Sequence, residues 1–238
     1  MRFVIAGAFF IPLLFGCASP PLNFEADFDS YPARTTVPHD EYVIARAFEV
    51  EDGIGVFTIE SGMHAATGDK QGKKDRAELA VYVPYNHLIH QRFQVRLPSA
   101  TRIRPRFMIS QIKMESIPGS GGPSPSIAVY INQGGRVKCN DFDSFQKIKY
   151  IQLPNGSIDD GEWHAVDMWI RFSEKNGYCK VAVDGVTQIK EEGYRSLPPS
   201  PRRLETRARI GPYRDASVVE KVRVEYDDWE ITTEPTEK

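Results

Sequence analysis

After its first two dozen residues the chain lacks any apolar run long enough to cross a bilayer as a helix, which takes about 20 residues. A charge bias is also missing: 30 Lys and Arg stand against 32 Asp and Glu, for a formal net charge of −2. That balance gives no global attraction to nucleic acid or to an anionic membrane surface, and no nucleic-acid partner is expected. No segment of four helical turns is amphipathic, and no internal repeat is evident. Metal-ligand spacing, a nucleotide-binding loop and a Ser/His/Asp arrangement are all wanting, so no metal and no cofactor is implied. The five histidines are scattered. His87 and His90 are three apart, but no carboxylate motif accompanies them, and surface or loop positions are expected.

What is present begins at the N terminus. Arg2 precedes an apolar stretch, Phe3 to Phe15, too short for an ordinary membrane span. It ends in Leu14-Phe15-Gly16-Cys17, followed by Ala18-Ser19-Pro20-Pro21. This resembles the lipobox of bacterial lipoproteins, in which the chain is cut before the cysteine and its thiol carries a diacylglycerol. The resemblance implies a signal peptide over 1–16, lipidation at Cys17 and a short tether over 17–23. A doubly or triply acylated cysteine anchors stably, because each buried methylene contributes about 0.8 kcal/mol. Ala18 is not the Asp associated with inner-membrane retention, so the cell envelope, with an outer-membrane anchor, is expected. An ordinary signal peptide with an incidental Cys17 is the alternative.

Roughly 220 residues then remain, enough for one all-β domain. Short strand-like runs, most with period-two alternation, recur at 43–48, 55–59, 79–83, 92–97, 127–131, 165–172, 179–183 and 222–226. Turn clusters lie between them, and Asp184-Gly185 reads as a type I′ hairpin. Many short antiparallel strands in such a length mean two packed sheets, an all-β sandwich or jelly roll. The domain is expected over 24–231, with a frayed polar tail over 232–238, and a monomer is expected. Cys139 and Cys179 are either a disulfide, as an exported location allows, or two buried thiols.

Polar residues two apart in a strand point to one face of its sheet. Arg76 and Glu78 share a face, with Ala77 and Leu79 opposite. Gln111 and Lys113 form a second pair, and Arg207, Arg209 and Tyr213 are in phase on a third run. Three such strands form either an ordinary solvated sheet or a concave floor for a carboxylated sugar, whose carboxylate the fork of an arginine matches. Arg102, Arg104 and Arg106 alternate in the same way. They are a solvated edge that discourages strand pairing, or an extended subsite for a polyanion.

These segments resemble the jelly-roll polysaccharide lyases, the alginate lyase, glucuronan lyase and heparin lyase I-like group with a concanavalin A-like sandwich. The marks are Arg76-Ala77-Glu78-Leu79, Gln111-Ile112-Lys113 and Arg209-Ile210-Gly211-Pro212-Tyr213. Asp160-Gly161-Glu162-Trp163-His164, Val181-Ala182-Val183-Asp184-Gly185 and Val224-Glu225-Tyr226-Asp227-Asp228-Trp229 also fit. The resemblance implies that Arg76 and Gln111 neutralise a uronate carboxylate, that Glu78 orients Arg76, and that Tyr213 is the acid/base of a β-elimination. Lys113 stands where the family has histidine, and Ala80 where a variant of its first motif has a second arginine. Lysine is not isosteric with imidazole. The resemblance therefore implies either a syn elimination that needs no histidine or a site that only binds. An acidic polysaccharide is the expected partner, and a glycoside hydrolase on the same sandwich is the third reading.

Overall fold

Strands β6 (His87–Arg96) and β11 (His164–Arg171) alternate buried and more exposed residues along their length, as half-buried strands do. The computed structural model describes residues 21–26, 28, 47–61, 74–98, 107–115, 126–131, 136–140, 148–153, 158–197, 205–215, 217 and 220–236. Among these residues there are fifteen strands and no helix. One sheet runs β13 (Val186–Tyr194), β12 (Gly177–Val183), β11, β6, β15 (Val222–Pro235), β3 (Ile54–Ile59) and β2 (Phe48–Glu51), with β1 (Asn23–Ala26) paired to β15. The other runs β10 (Ile148–Gln152), β9 (Arg136–Asn140), β8 (Ser126–Ile131), β7 (Phe107–Glu115), β14 (Glu205–Asp215) and β4 (Lys74–Arg76), with β5 (Leu79–Val83) also on β14. Every pairing is antiparallel.

The core lies between the sheets. Ile89, Phe93 and Val95 of β6 and Val166, Met168 and Ile170 of β11 are buried in one apolar cluster with Leu79 and Val81 of β5, Ile112 of β7 and Ala208 and Ile210 of β14. The fold is thus the all-β jelly-roll sandwich of two antiparallel sheets. Two Asp-Gly turns close its hairpins. Asp52 and Gly53 (φ 50° and 80°) and Asp184 and Gly185 (φ 50° and 76°) take the left-handed conformation at both central positions, as type I′ requires.

Several expectations are corrected. The domain does not end at residue 231. Strand β15 continues to Pro235, because Thr233 is buried, pairs with Ile89 and hydrogen-bonds to Leu22 of the tether segment. Nor are the described histidines in loops. His87 and His90 lie in β6 and His164 opens β11. His90 Nε2 meets Asp167 Oδ1 at 2.8 Å, and its ring stacks on Trp169. His39 and His64 lie outside the described residues, as does Cys17. Cys179 is fully buried and disulfide-bonded. Strand β9, which carries Cys139, belongs to the opposite sheet and runs against β12.

His164 is held at both ring nitrogens, with Asp184 Oδ2 2.8 Å from Nδ1 and Asp160 Oδ1 2.9 Å from Nε2. Burial opposes the charged ring, but the bonds and charges of Asp184 and Asp160 outweigh it and raise its pKa above the ordinary 6.5. A raised folded-state pKa adds stability that is fully present below pH 6.5 and is lost as pH rises through the raised value. Thermal unfolding should therefore show a melting temperature that falls as pH rises above 6.5, with the fall absent in His164→Gln. An equal fall in the variant would refute the assignment.

Candidate active site

The polar face of the seven-stranded sheet is assembled by register. Arg209 of β14 pairs with Gln111 of β7 and Ala80 of β5, and Arg207 pairs with Lys113 and Tyr82. Toward the other end of β14, Tyr213 pairs with Met108 and with Arg76 of β4. Three rows result. Gln111 and Arg209 hold the middle one, with Lys113 and Tyr213 in the rows to either side. Successive rows of one face are two residues apart, or about 7 Å.

The pairing of β14 with β7 slips between Ile210 and Tyr213. There Gly211 and Pro212 face Ile109 alone, which makes a β-bulge. Gly211 has a φ of 120°, and a Cβ there would lie 2.2 Å from the carbonyl oxygen of Ala77. Glycine is needed both for the backbone angle and for the close approach. Pro212 donates no hydrogen bond, but its carbonyl accepts one from Ala77 N–H at 3.0 Å. That bond bridges the break between β4 and β5, the stretch that carries Arg76 and Glu78.

The side chains then connect. The Arg76 guanidinium lies 4.2 Å from the centre of the Tyr213 ring, and its Nη1 is 3.7 Å from Glu78 Oε2. Gln111 Nε2 donates to Glu78 Oε1 at 2.9 Å. Glu78 is fully buried, Arg209 is 1 % exposed and Gln111 is 6 % exposed. This is not a solvated sheet face. Buried charges are costly unless paired, so the face keeps its polar groups preorganised against one another. Tyr82, not singled out in the sequence, accepts a hydrogen bond of 2.6 Å from Arg207 Nη2, whose guanidinium also lies over the ring. Its position in phase with Glu78 and Ala80 was the available signal. Burial, and secondarily the charge of Arg209, lowers the pKa of Arg207 to about 10, so it remains a cation at neutral pH.

A second missed pair supports β4 from beneath. Asp75 and Arg214 are both fully buried, with Oδ2 3.2 Å from Nη2, and Arg214 also donates to the carbonyl of Glu220. Opposite charges 139 residues apart announce no contact in a sequence.

Of the expected site residues, Arg76, Glu78, Gln111 and Tyr213 form a continuous chain of contacts. Lys113, Arg207 and Arg209 share their face through register. Arg102, Arg104 and Arg106 lie outside the described residues.

Comparison with known proteins agrees with the fold. The family model described as Polysaccharide lyase matches residues 47–232. No curated protein sequence matches. Among solved structures, a lysine-and-tyrosine mutant of alginate lyase Aly36B, in complex with an alginate tetrasaccharide, is similar with a TM-score of 0.62 at 13% identity, over 91% of this chain and 98% of that one. The endo-β-1,4-glucuronan lyase of the fungus Trichoderma reesei is similar with a TM-score of 0.52 at 15% identity, over 76% and 81%. A prokaryotic β-1,3-1,4-glucanase (lichenase) from a mouse hindgut metagenome has a TM-score of 0.50 at 15% identity, over 90% and 99%.

Asp75→Ala leaves the Arg214 charge buried without its carboxylate, at a cost of about 3–5 kcal/mol. Thermal unfolding should record a melting temperature lower by on the order of 10 °C. A change of a degree or two would mean that the ion pair does not hold β4.

Proposed function

The chain belongs to the polysaccharide lyase family, and on that premise we propose that it cleaves a uronate-containing polysaccharide by β-elimination. The observation that carries this reading is the chain Tyr213–Arg76–Glu78–Gln111, set among the cations Arg207, Arg209 and Lys113. Arg76 and Gln111 receive the substrate carboxylate. Glu78 orients both, one through an ion pair and one through a hydrogen bond. When the C5 proton leaves, its electron pair spreads onto that carboxylate, and fixed donors there stabilise the charge as it develops. The pair then forms the C4–C5 double bond, the C4–O bond breaks, and the leaving oxygen takes a proton. Tyr213 and Lys113 flank the carboxylate row from opposite sides and carry these proton transfers, Tyr213 as acid/base and Lys113 as base or as a second neutraliser.

Two kinds of similarity support the substrate class. The alginate lyase and the glucuronan lyase act on polyuronates by name. One of the alginate lyases was solved with its tetrasaccharide after replacement of a lysine and a tyrosine, the two side-chain types that flank the carboxylate row here. Lys113, in place of a histidine, favours a second reading, a site that binds an acidic polysaccharide without cutting it. Glu78, engaged by Arg76 and Gln111, does not serve as one of the two independent carboxylates of a glycosidase.

The lipid anchor at Cys17 and an outer-membrane location belong to the same proposal. Leu22 is tied to Thr233, so only the residues between it and Cys17 separate the domain from the membrane, a reach of at most about 18 Å. We also pair Cys139 with Cys179, which links β9 to β12 across the two sheets.

Full-length protein in detergent should release products absorbing in the ultraviolet band of unsaturated uronates from at least one of alginate, polyglucuronate, heparin and hyaluronan. Tyr213→Phe should lower turnover by about 10²–10⁴-fold and Lys113→Ala by about 10²-fold. Retention on a polyanion column at low salt without such products would favour binding alone. In the same preparations, Cys17→Ser should move from the detergent phase to the aqueous phase.

A further inference from the structure

The bulge that presents Tyr213 leaves a gap in the ladder between β14 and β7, and a side chain from the opposite sheet fills it. Tyr226 of β15 is fully buried in the core, its ring against Phe57 and Phe93 at centroid distances of 5.3 and 5.8 Å. Its hydroxyl donates to the Ile109 carbonyl at 2.7 Å and accepts from Gly211 N–H at 3.2 Å. These two backbone groups belong to the residues that face each other across the bulge. One oxygen atom thus joins the strands where their own hydrogen bonding fails. Burial, foremost, and the charge of Glu78 raise the pKa of Tyr226 well above the ordinary tyrosine value, although the bond from Gly211 opposes them. The hydroxyl therefore keeps its proton and remains a donor.

We propose that Tyr226 is a positioning residue of the elimination site: by bridging Gly211 and Ile109 it fixes the bulge in β14, and so sets the direction of Tyr213 and its stack with Arg76. The inference rests on the lyase reading for its catalytic consequence, but not for the bridge itself. Gly211 also touches the Ala77–Glu78 backbone, so motion at the bulge reaches Arg76 from that side as well. The pocket of Phe57 and Phe93 accepts a phenylalanine ring in place of tyrosine. Tyr226→Phe therefore removes the bridge with little change of shape.

The test compares wild type, Tyr226→Phe, Tyr213→Phe, the double variant and Ile170→Val, a core change on β11 away from the bulge. Tyr226→Phe is expected to fold, to lose about 10–100-fold in kcat with KM within about twofold, and to cost nothing further once Tyr213 is phenylalanine. Ile170→Val should retain wild-type kcat below its melting temperature. Hydrogen exchange at the Gly211 amide should accelerate in Tyr226→Phe, and the Tyr213 ring resonances should shift. The proposal is overturned if Tyr226→Phe keeps wild-type kcat, or if its loss multiplies in full with that of Tyr213→Phe. A wild type inactive on every polyuronate would instead remove the lyase reading. The amide exchange still judges the bridge in that case, and unchanged protection at Gly211 overturns it.

Discussion

One extra residue in β14 governs the site. Where Gly211 and Pro212 face Ile109, the sheet can no longer pair in simple register. The consequences run in two directions. Outward, Ala77 bonds to Pro212, and Arg76 comes to lie opposite Tyr213. Inward, Gly211 and Ile109 turn polar groups toward the core, where Tyr226 meets them. Nearby, the Arg209 carbonyl accepts from Ser110 Oγ of β7 and from Gln91 Nε2 of β6, so a side chain of the eight-stranded sheet reaches across to the floor of the site. Bulges bend a strand and re-aim its side chains, and this one does so in the strand that contributes most to the face.

Burial is the second theme. Several charged groups on or beneath the face have counterparts: Glu78 has Arg76 and Gln111, Asp75 has Arg214, and Arg207 has Tyr82. Desolvated ions are tolerated in such numbers only when geometry supplies their partners. The cost falls on stability. On the proposed function, what is gained is a set of donors already fixed before a carboxylate arrives, which is how an active site stabilises charge without reorganising during the reaction.

Much of this was legible in the residues. Period two assigned Arg76 and Glu78 to one face and Ala77 and Leu79 to the core, as found. Arg209 and Tyr213 were in phase along β14. The extra residue in β14 is matched by a break of alternation in β7, where Ile109 and Ile112, three apart, both enter the core. That break in alternation depends on the partner strand and leaves no local mark beyond Gly211-Pro212. Long-range pairs were out of reach for the same reason. His90 finds Asp167, and Arg214 finds Asp75, only because the topology lays β6 beside β11 and β14 beside β4. The end of β15 was misjudged because Thr232 and Thr233 read as a polar tail, whereas backbone pairing to β6 and the tether segment orders them.

The central claim is that this face breaks a glycosidic link by elimination and not by adding water. The mass of the products decides it most directly. Digestion of a defined uronate oligosaccharide should yield, at each new non-reducing end, a residue lighter by one water than the corresponding hydrolysis product. Fully hydrated ends on both fragments would contradict the account.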